Sequence, residues 1–225
     1  MALKMQWHKN SRIVVVLALF ICATTACKTR SSAIAVHDGS AAADAGTGAH
    51  IDLLCLGDRI NSPTGPFHYS YKYSDDSNSI VHEAEISPQK IDITSTDRTG
   101  THSYHGVRTD EVSWNAAVLD LSSLRFTSMT ARIDSLNGTS SITSQGSESI
   151  NGYNTTKYSI DTAKATSGDQ KQFETLFGRG SFEKGTVWVP ADGCAVKLNL
   201  DEAILQANGT LTKGHYDIAM IKKSN

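Results

Sequence analysis

Strict alternation of aromatic and polar residues, beginning at residue 67, constrains the fold of this chain more than any other feature of its sequence. Four aromatic side chains occupy every second position of this run: Phe67, Tyr69, Tyr71 and Tyr73. Because successive side chains of a β-strand point to opposite faces, the run predicts a half-buried strand with one aromatic face. Later alternating runs predict further strands around 80–86, 91–93, 102–107, up to Ile150, and around 153–160, 186–189, 195–200 and 215–222.

Glycine-containing turns separate the later alternating runs. They lie at Asn151-Gly152, Asp192-Gly193 and Asn208-Gly209. An Asn-Gly or Asp-Gly pair between two alternating runs is the strongest short-range signal for a β-hairpin. The sequence therefore predicts a long antiparallel meander without an internal repeat.

A helical period interrupts the strands over residues 116–136. The apolar side chains of this segment fall on one side of a helical wheel: Val118, Leu119, Leu121, Phe126, Met129, Ile133 and Leu136. We predict one long amphipathic helix that ends at Asn137-Gly138. Short helices are predicted within 51–60 and over 170–177. Helices on one face of an antiparallel sheet make this an α+β fold.

The first 26 residues have the layout of an export signal. A basic head with Lys4, Lys9 and Arg12 precedes an apolar run over 13–21, and small residues then lead to Cys27. The apolar run is shorter than the ~20 residues that a membrane-crossing helix needs. We therefore expect residues 1–26 to be cleaved as a signal peptide.

The residues before Cys27 resemble the lipobox of bacterial lipoproteins, in which a cysteine that follows small residues is acylated and becomes the new N-terminus. Ala26 fits that pattern, whereas Thr24 stands where an aliphatic residue is usual. The resemblance implies lipidation of Cys27. Conventional signal-peptidase cleavage is the alternative.

The lipobox resemblance also implies a location and a domain plan. Lys28 follows the cysteine in place of the aspartate that retains lipoproteins at an inner membrane, which favours the outer membrane, facing the periplasm. The chain then divides into a signal peptide (1–26), the lipidated cysteine with a small, polar and flexible tether (27–50), and a single domain (51–225).

The charge of the chain argues against one class of partner, and its cysteines predict a cross-link. Removal of residues 1–26 takes away three of the 21 basic residues and none of the 23 acidic ones, which leaves a mildly acidic chain. An acidic chain without a basic stripe argues against nucleic acid as a partner.

Exported chains meet oxidising conditions, so we predict a disulfide between Cys55 and Cys194, with two buried free thiols as the alternative.

Two stretches of the meander resemble the periplasmic lipoprotein-carrier superfamily, which includes the LolA, LolB and LppX-like proteins. They are 151–161, where a glycine precedes alternating tyrosines, and 185–201, a hairpin that contains Trp188. The resemblance implies a strongly curved antiparallel sheet, a half-barrel whose concave face is covered by the long helix and the short ones. In that superfamily the space between sheet and helices holds acyl chains.

The same resemblance implies an apolar cavity in this chain. The residues that we expect to line it come from the aromatic strand and the long helix: Phe67, Tyr69, Tyr71, Tyr73, Leu119, Phe126, Met129 and Ile133. A solid core filled by these side chains is the alternative.

The sequence shows no catalytic or metal-binding constellation. His82-Glu83 lacks the second histidine of a metalloprotease motif, and His102 and His105 fall on opposite faces of a strand. We therefore predict no cofactor, no metal and no enzymatic activity.

The leading hypothesis is a membrane-anchored, monomeric, non-enzymatic carrier or receptor whose partner is a lipid or an acylated protein. One alternative is an envelope structural or interaction module that docks a protein partner through its sheet face, which predicts an exposed apolar patch. Another is a hydrolase, which a converging cluster of acid, histidine and serine side chains would favour.

Overall fold

The computed structural model describes residues 51–121 and 125–223, with only the backbone for 125–127. The predicted signal peptide, Cys27 and the tether therefore lie outside the described residues. The helices are α1 (Leu54–Asn61), α2 (Glu111–Leu121), α3 (Arg125–Leu136) and α4 (Ser167–Phe177), with a 3-10 turn at Thr162–Lys164. The strands are β1 (Phe67–Asp75), β2 (Ser79–Ile86), β3 (Lys90–Asp97), β4 (Gly100–Val107), β5 (Ile142–Ile150), β6 (Tyr153–Asp161), β7 (Phe182–Pro190), β8 (Lys197–Leu205) and β9 (Leu211–Lys222). No helix in these ranges is long and apolar enough to cross a membrane.

The described strands form one antiparallel sheet in the order β4-β3-β2-β1-β9-β8-β7-β6-β5. Strands β1 to β4 make one meander and β5 to β9 make a second, and α2 and α3 lie between the two in sequence. The two meanders join where β1 pairs with β9, with Phe67 opposite Lys222 and Tyr73 opposite Tyr216. The predicted fold class, an α+β half-barrel built on a curved antiparallel sheet, is confirmed.

One face of the sheet, called the inner face below, is buried beneath the helices. Along β1, β8 and β9 the inner-face side chains are buried and alternate with more exposed ones, as the alternating sequence predicts. Inner-face and helix residues join in one apolar cluster, which includes Ile86, Ile91, Ile93, Met129, Ile133, Leu136, Leu198, Leu200 and Ile218. Burial of this apolar surface is the main stabilising term that holds the helices on the sheet.

Glycine is required at two points of this arrangement. A Cβ at Gly106 of β4 would lie 3.0 Å from the Ala117 Cβ and 3.1 Å from the Trp114 Cα, so the missing side chain lets α2 pack directly on the strand. Asn151 and Gly152 have φ values of 55° and 79°. That left-handed backbone is what a two-residue hairpin turn needs, and the predicted β5–β6 hairpin is confirmed.

The single helix predicted over 116–136 is wrong in its extent. The described residues place helix in two segments, α2 and α3, and residues 122–124 between them are not described. Helix α2 also begins earlier than predicted, at Glu111. The Asp110 carboxylate accepts a hydrogen bond from the Ser113 N–H at 3.1 Å, and this contact satisfies a first-turn donor that has no partner within the helix.

The predicted disulfide between Cys55 and Cys194 is confirmed. It joins α1 to the segment between β7 and β8, with a Cα–Cα distance of 5.7 Å and a sequence separation of 139 residues. Two backbone hydrogen bonds support the same junction, from the Asp52 N–H to the Gly193 carbonyl at 3.2 Å and from the Ala195 N–H to the Asp52 carbonyl at 3.3 Å. The disulfide therefore fixes α1 at one end of the sheet.

Candidate functional site

The aromatic row of β1 lies on the inner face, and its far half is filled by side chains. Phe67, Tyr69, Tyr71 and Tyr73 are each at most 6% exposed. The ring of Tyr216 on β9 lies 4.8 Å from that of Tyr73 and 6.3 Å from that of Tyr71, measured between centroids. Around Tyr71 and Tyr73 these contacts support the solid-core alternative.

The hydroxyl of Tyr69 is buried without a hydrogen-bond partner among the described residues. Burial raises the pKa of Tyr69 well above its usual value, and the nearby Tyr71 raises it further. A buried hydroxyl without a partner costs free energy. From α3, the predicted lining residues Met129 and Ile133 are fully buried in the same cluster. The side chain of Phe126, also predicted to line the cavity, is not described.

Leu119 does not line the interior as predicted. Its side chain is 70% exposed, and Val112 on the same helix is 81% exposed, whereas Trp114 and Leu121 are buried. Helix α2 carries apolar residues on both its buried and its exposed sides, so a helical wheel cannot tell which of them face the sheet.

A small polar pocket beside the end of α2 does include Leu119. Its volume is about 290 Å³, and it is also lined by Tyr71, His82, Ser95 and Asp120. His82 and Ser95 are directly opposite each other in the β2–β3 register. The His82 Nδ1 lies 3.6 Å from the Asp120 Oδ2. The pocket thus brings an acid, a histidine and a serine together.

A larger cleft opens at the end of the sheet where β1 begins and β9 ends. Its volume is about 680 Å³. One wall is the segment 62–66, which connects α1 to β1, and the facing wall is the turn 190–192 after β7. Phe67 and Met220, the inner-face residues nearest this end of β1 and β9, lie at its base and are at most 6% exposed. The cleft therefore opens directly onto the buried apolar face.

The disulfide and one ion pair hold the two walls of the cleft together. Cys55 anchors α1 to Cys194, beside the turn that forms the facing wall. One helical turn further along α1, the Arg59 Nη2 lies 2.5 Å from the Asp192 Oδ2 of that turn. The walls are therefore fixed relative to each other before any ligand binds.

The rim of the cleft is basic. Lys222 places its Nζ 4.4 Å from the centre of the Tyr153 ring, and the Arg59 Cζ lies 5.8 Å from the same centre. Burial raises the pKa of Tyr153, and Arg59 partly opposes that rise. Lys223, also at the rim, forms an ion pair with Glu85. The pair Lys222-Lys223 is visible in the sequence. Its position at the cleft could not be predicted, because it depends on the pairing of β9 with β1.

An ion cluster lies at the opposite end of the inner face. Arg132 of α3 donates hydrogen bonds to the carboxylates of Glu183 and Glu202, and its Nη1 donates to the Ser128 Oγ at 2.7 Å. The Tyr216 hydroxyl donates to the Glu202 Oε1 at 3.1 Å. Arg132, Glu183, Glu202 and Tyr216, called the ion cluster below, are all buried.

The ion cluster contains two carboxylates for one guanidinium. Burial raises the pKa of Glu183 to about 8, although Arg132 lowers it in part. The Glu183 Oε2 is buried and has no hydrogen-bond partner in the part of the chain that the structure describes. A protonated Glu183 would leave one positive and one negative charge in the cluster, which is the arrangement that costs least to bury.

Comparison with known proteins finds a match among solved structures. No family model and no curated protein matches the chain. Among solved structures, the crystal structure of the Mycobacterium tuberculosis lipoprotein LppX is similar, with 16% sequence identity, and the match covers 76% of this chain and 97% of that one. LppX-like proteins are among those that stretches 151–161 and 185–201 resemble. The TM-score of this match is 0.26.

Proposed function

We propose that this protein is a lipid-anchored protein of a bacterial envelope that binds the acyl chain of a lipid or of an acylated protein, as a carrier or receptor without enzymatic activity. The observation that carries the proposal is the cleft, which connects solvent to the buried apolar face through Phe67 and Met220. Its volume, about 680 Å³, falls within the ~300–1,000 Å³ usual for small-molecule sites.

The fold limits how far an acyl chain can enter. The inner row of β1 from Phe67 to Tyr73 is about 20 Å long, and its far half is filled by Tyr71, Tyr73 and Tyr216. The acyl chain therefore occupies the near half, between the cleft and Tyr69, unless α3 moves. Apolar contact there is worth about 0.8 kcal/mol for each buried methylene.

The attachment of Cys27 to a membrane is part of this proposal. A single acyl chain binds membranes only marginally, whereas several chains hold durably. Cells that produce the full chain and are fed an alkyne fatty acid should label it, and Cys27→Ser should abolish the label. Labelling that survives Cys27→Ser would contradict the proposed anchor.

A glycine in the wall of the cleft offers a direct test of ligand binding. Gly65 lines the cleft, and a Cβ there meets nothing within 4 Å, so Gly65→Trp should fill the opening without disturbing the fold. The control is Gly57→Trp on α1, where a Cβ also meets nothing within 4 Å but which does not line the cleft. Each full chain is purified from the membrane of its cells. Its bound lipids are then extracted, and their amount per protein is measured by mass spectrometry.

The expected result is a stoichiometric amphiphile on the natural chain and on Gly57→Trp, and a large loss of it on Gly65→Trp. Circular dichroism spectra and unfolding midpoints should be the same for all three proteins. Equal amounts of lipid on Gly65→Trp and Gly57→Trp would show that the cleft is not the site. No lipid above the detergent background on any of them would overturn the proposed function itself.

A second candidate function, ester hydrolysis, is favoured by the small polar pocket. A serine, a histidine and a carboxylate are the groups that acyl transfer uses, and Ser95, His82 and Asp120 share that pocket. A fluorophosphonate probe tests this candidate. Labelling that is lost in Ser95→Ala and kept in Ser103→Ala, on the neighbouring strand, would establish a nucleophilic serine. An unlabelled natural chain would exclude it.

A further inference from the structure

The cleft carries more positive charge than the rest of this mildly acidic protein leads one to expect. Three of its lining residues are basic, Arg59, Lys222 and Lys223, and one is acidic, Asp192. Lys223 has a carboxylate partner outside the cleft, Glu85. The local balance is therefore cationic where Phe67 and Met220, at the base of the cleft, meet solvent.

Among the described residues, two of these cations are not fully paired. Within the part of the chain that the structure describes, no carboxylate lies within ion-pair distance of Lys222, whose Nζ rests on the face of Tyr153. Arg59 bonds to Asp192 through Nη2, but its Nη1 is buried without a hydrogen-bond partner among residues 51–121 and 125–223. Buried donors are almost always satisfied, and an unmade hydrogen bond costs free energy.

Both cations lie over the same aromatic ring, that of Tyr153. The Arg59 Cζ and the Lys222 Nζ lie 5.8 and 4.4 Å from the centre of the Tyr153 ring. The disulfide holds the helix that carries Arg59, and the pairing of β9 with β1 holds the strand that carries Lys222. The pair is thus held in place before an anion arrives, which reduces the entropy lost on binding.

We propose that Arg59 and Lys222 form a subsite for the anionic headgroup, a phosphate or carboxylate, of the amphiphile whose acyl chain enters past Phe67 and Met220. This inference rests on the proposed function and specifies its ligand class. The guanidinium and ammonium groups donate charge-assisted hydrogen bonds to the headgroup oxygens. Those bonds also satisfy the Arg59 Nη1, and the apolar base of the cleft contacts the first methylenes.

The test compares lipids that share their acyl chains and differ in headgroup. The full chain is titrated with fluorescent phosphatidylglycerol, phosphatidylcholine and diacylglycerol, and with glycerol phosphate as a headgroup without acyl chains. The variants are Lys222→Gln and, as a control for lost charge, Lys184→Gln, an exposed lysine on β7 that does not line the cleft.

We expect the tightest binding for phosphatidylglycerol and an affinity about tenfold lower in Lys222→Gln, the loss of one hydrogen bond to a charged group. Lys184→Gln should leave the affinity unchanged, and ~1 M salt should reduce the preference for the anionic lipid. Diacylglycerol should bind equally to all three proteins, because it contacts only the apolar base.

The remaining outcomes separate this inference from the proposed function. Equal affinity for all three lipids, unchanged in Lys222→Gln, would overturn the headgroup subsite and leave acyl-chain binding in place. Glycerol phosphate that binds as tightly as phosphatidylglycerol would overturn it too, because the site would then recognise a free anion. Failure of every lipid to bind would overturn the proposed function together with this inference.

Discussion

The two ends of the inner face both contain an arginine, and the difference between them indicates which end receives a ligand. At the end that holds the ion cluster, called the closed end because the cluster is buried there, Arg132 donates to two carboxylates and a serine hydroxyl. At the end that holds the cleft, called the open end, Arg59 has one carboxylate partner, and its buried Nη1 has no partner among the described residues. Lys222 lies beside it on the rim of this cleft of about 680 Å³.

This contrast separates a structural role from a binding role. Charges that satisfy one another inside the protein hold two elements together, and removal of one partner leaves a buried charge unpaired. Charges that remain unsatisfied at an opening are available to a ligand and contribute little to stability. We therefore expect substitutions at the closed end to affect unfolding and substitutions at the open end to affect binding.

The largest effect is expected for Arg132→Met. Glu183 and Glu202 would lose their shared guanidinium, so the free energy of unfolding should fall by about 3–5 kcal/mol. Arg59→Met is the matched control, and its exposed pair with Asp192 should contribute at most ~1 kcal/mol. Urea unfolding of the two full-length variants measures the difference. Equal losses would break the distinction between the two ends.

Loss of the disulfide should have a somewhat smaller effect on stability and a clear effect on the cleft. In Cys55→Ser with Cys194→Ser the free energy of unfolding should fall by roughly 2–4 kcal/mol, as is typical for such cross-links. Because α1 then loses its covalent link to the wall of the cleft, lipid binding should weaken as well. Binding that is unchanged at a temperature where the variant is folded would show that the wall does not depend on the disulfide.

A pH dependence of stability is also expected, and it arises from Glu183 at the closed end. Burial raises the pKa of this carboxyl from 4.5 to about 8, so between these values the folded protein binds a proton that the unfolded chain releases. The stability contribution is therefore fully present below about pH 4.5 and is lost as the pH rises through about 8.

A measurement of this pH dependence must account for the groups that face Glu183. Arg132 comes from α3, Glu202 from β8 and Tyr216 from β9, and the Thr162 Oγ1 accepts a hydrogen bond from the Glu183 N–H at 3.3 Å. Glu183→Gln keeps the shape of the side chain and removes its titration. Chemical unfolding from pH 5 to 9 should show a decline in the natural chain that is flatter in Glu183→Gln. Parallel profiles would assign the decline to another group.

Local patterns in the sequence predict most of the fold and little of the site. The alternation from Phe67 to Tyr73 and the turn at Asn151-Gly152 depend only on neighbouring residues. The structure confirms both the predicted strand and the predicted hairpin. The pairing of Cys55 with Cys194 is predictable because few cysteines were available. These features need no knowledge of how distant strands are arranged.

The two ends of the inner face depend on such long-range arrangement. Glu202 continues the inward period of Leu198 and Leu200, which is a signal that the sequence contains, but nothing local indicates that Arg132 lies opposite it. The basic rim requires β9 to pair with β1 and the disulfide to bring α1 beside β7. The prediction that Leu119 lines the cavity is wrong because α2 carries apolar residues on its exposed side as well.

Photo-crosslinking of a native lipid tests the central claim most directly. Cells that produce the full chain are fed a fatty acid with a diazirine near its methyl end, the membranes are irradiated, and the adducts are mapped by mass spectrometry after proteolysis. We predict adducts on the β1 and β9 peptides that contain Phe67, Tyr69 and Met220, and their loss in Gly65→Trp. Adducts confined to the exposed residues Val112 and Leu119 of α2, or adducts that persist unchanged in Gly65→Trp, would contradict a ligand bound through the cleft.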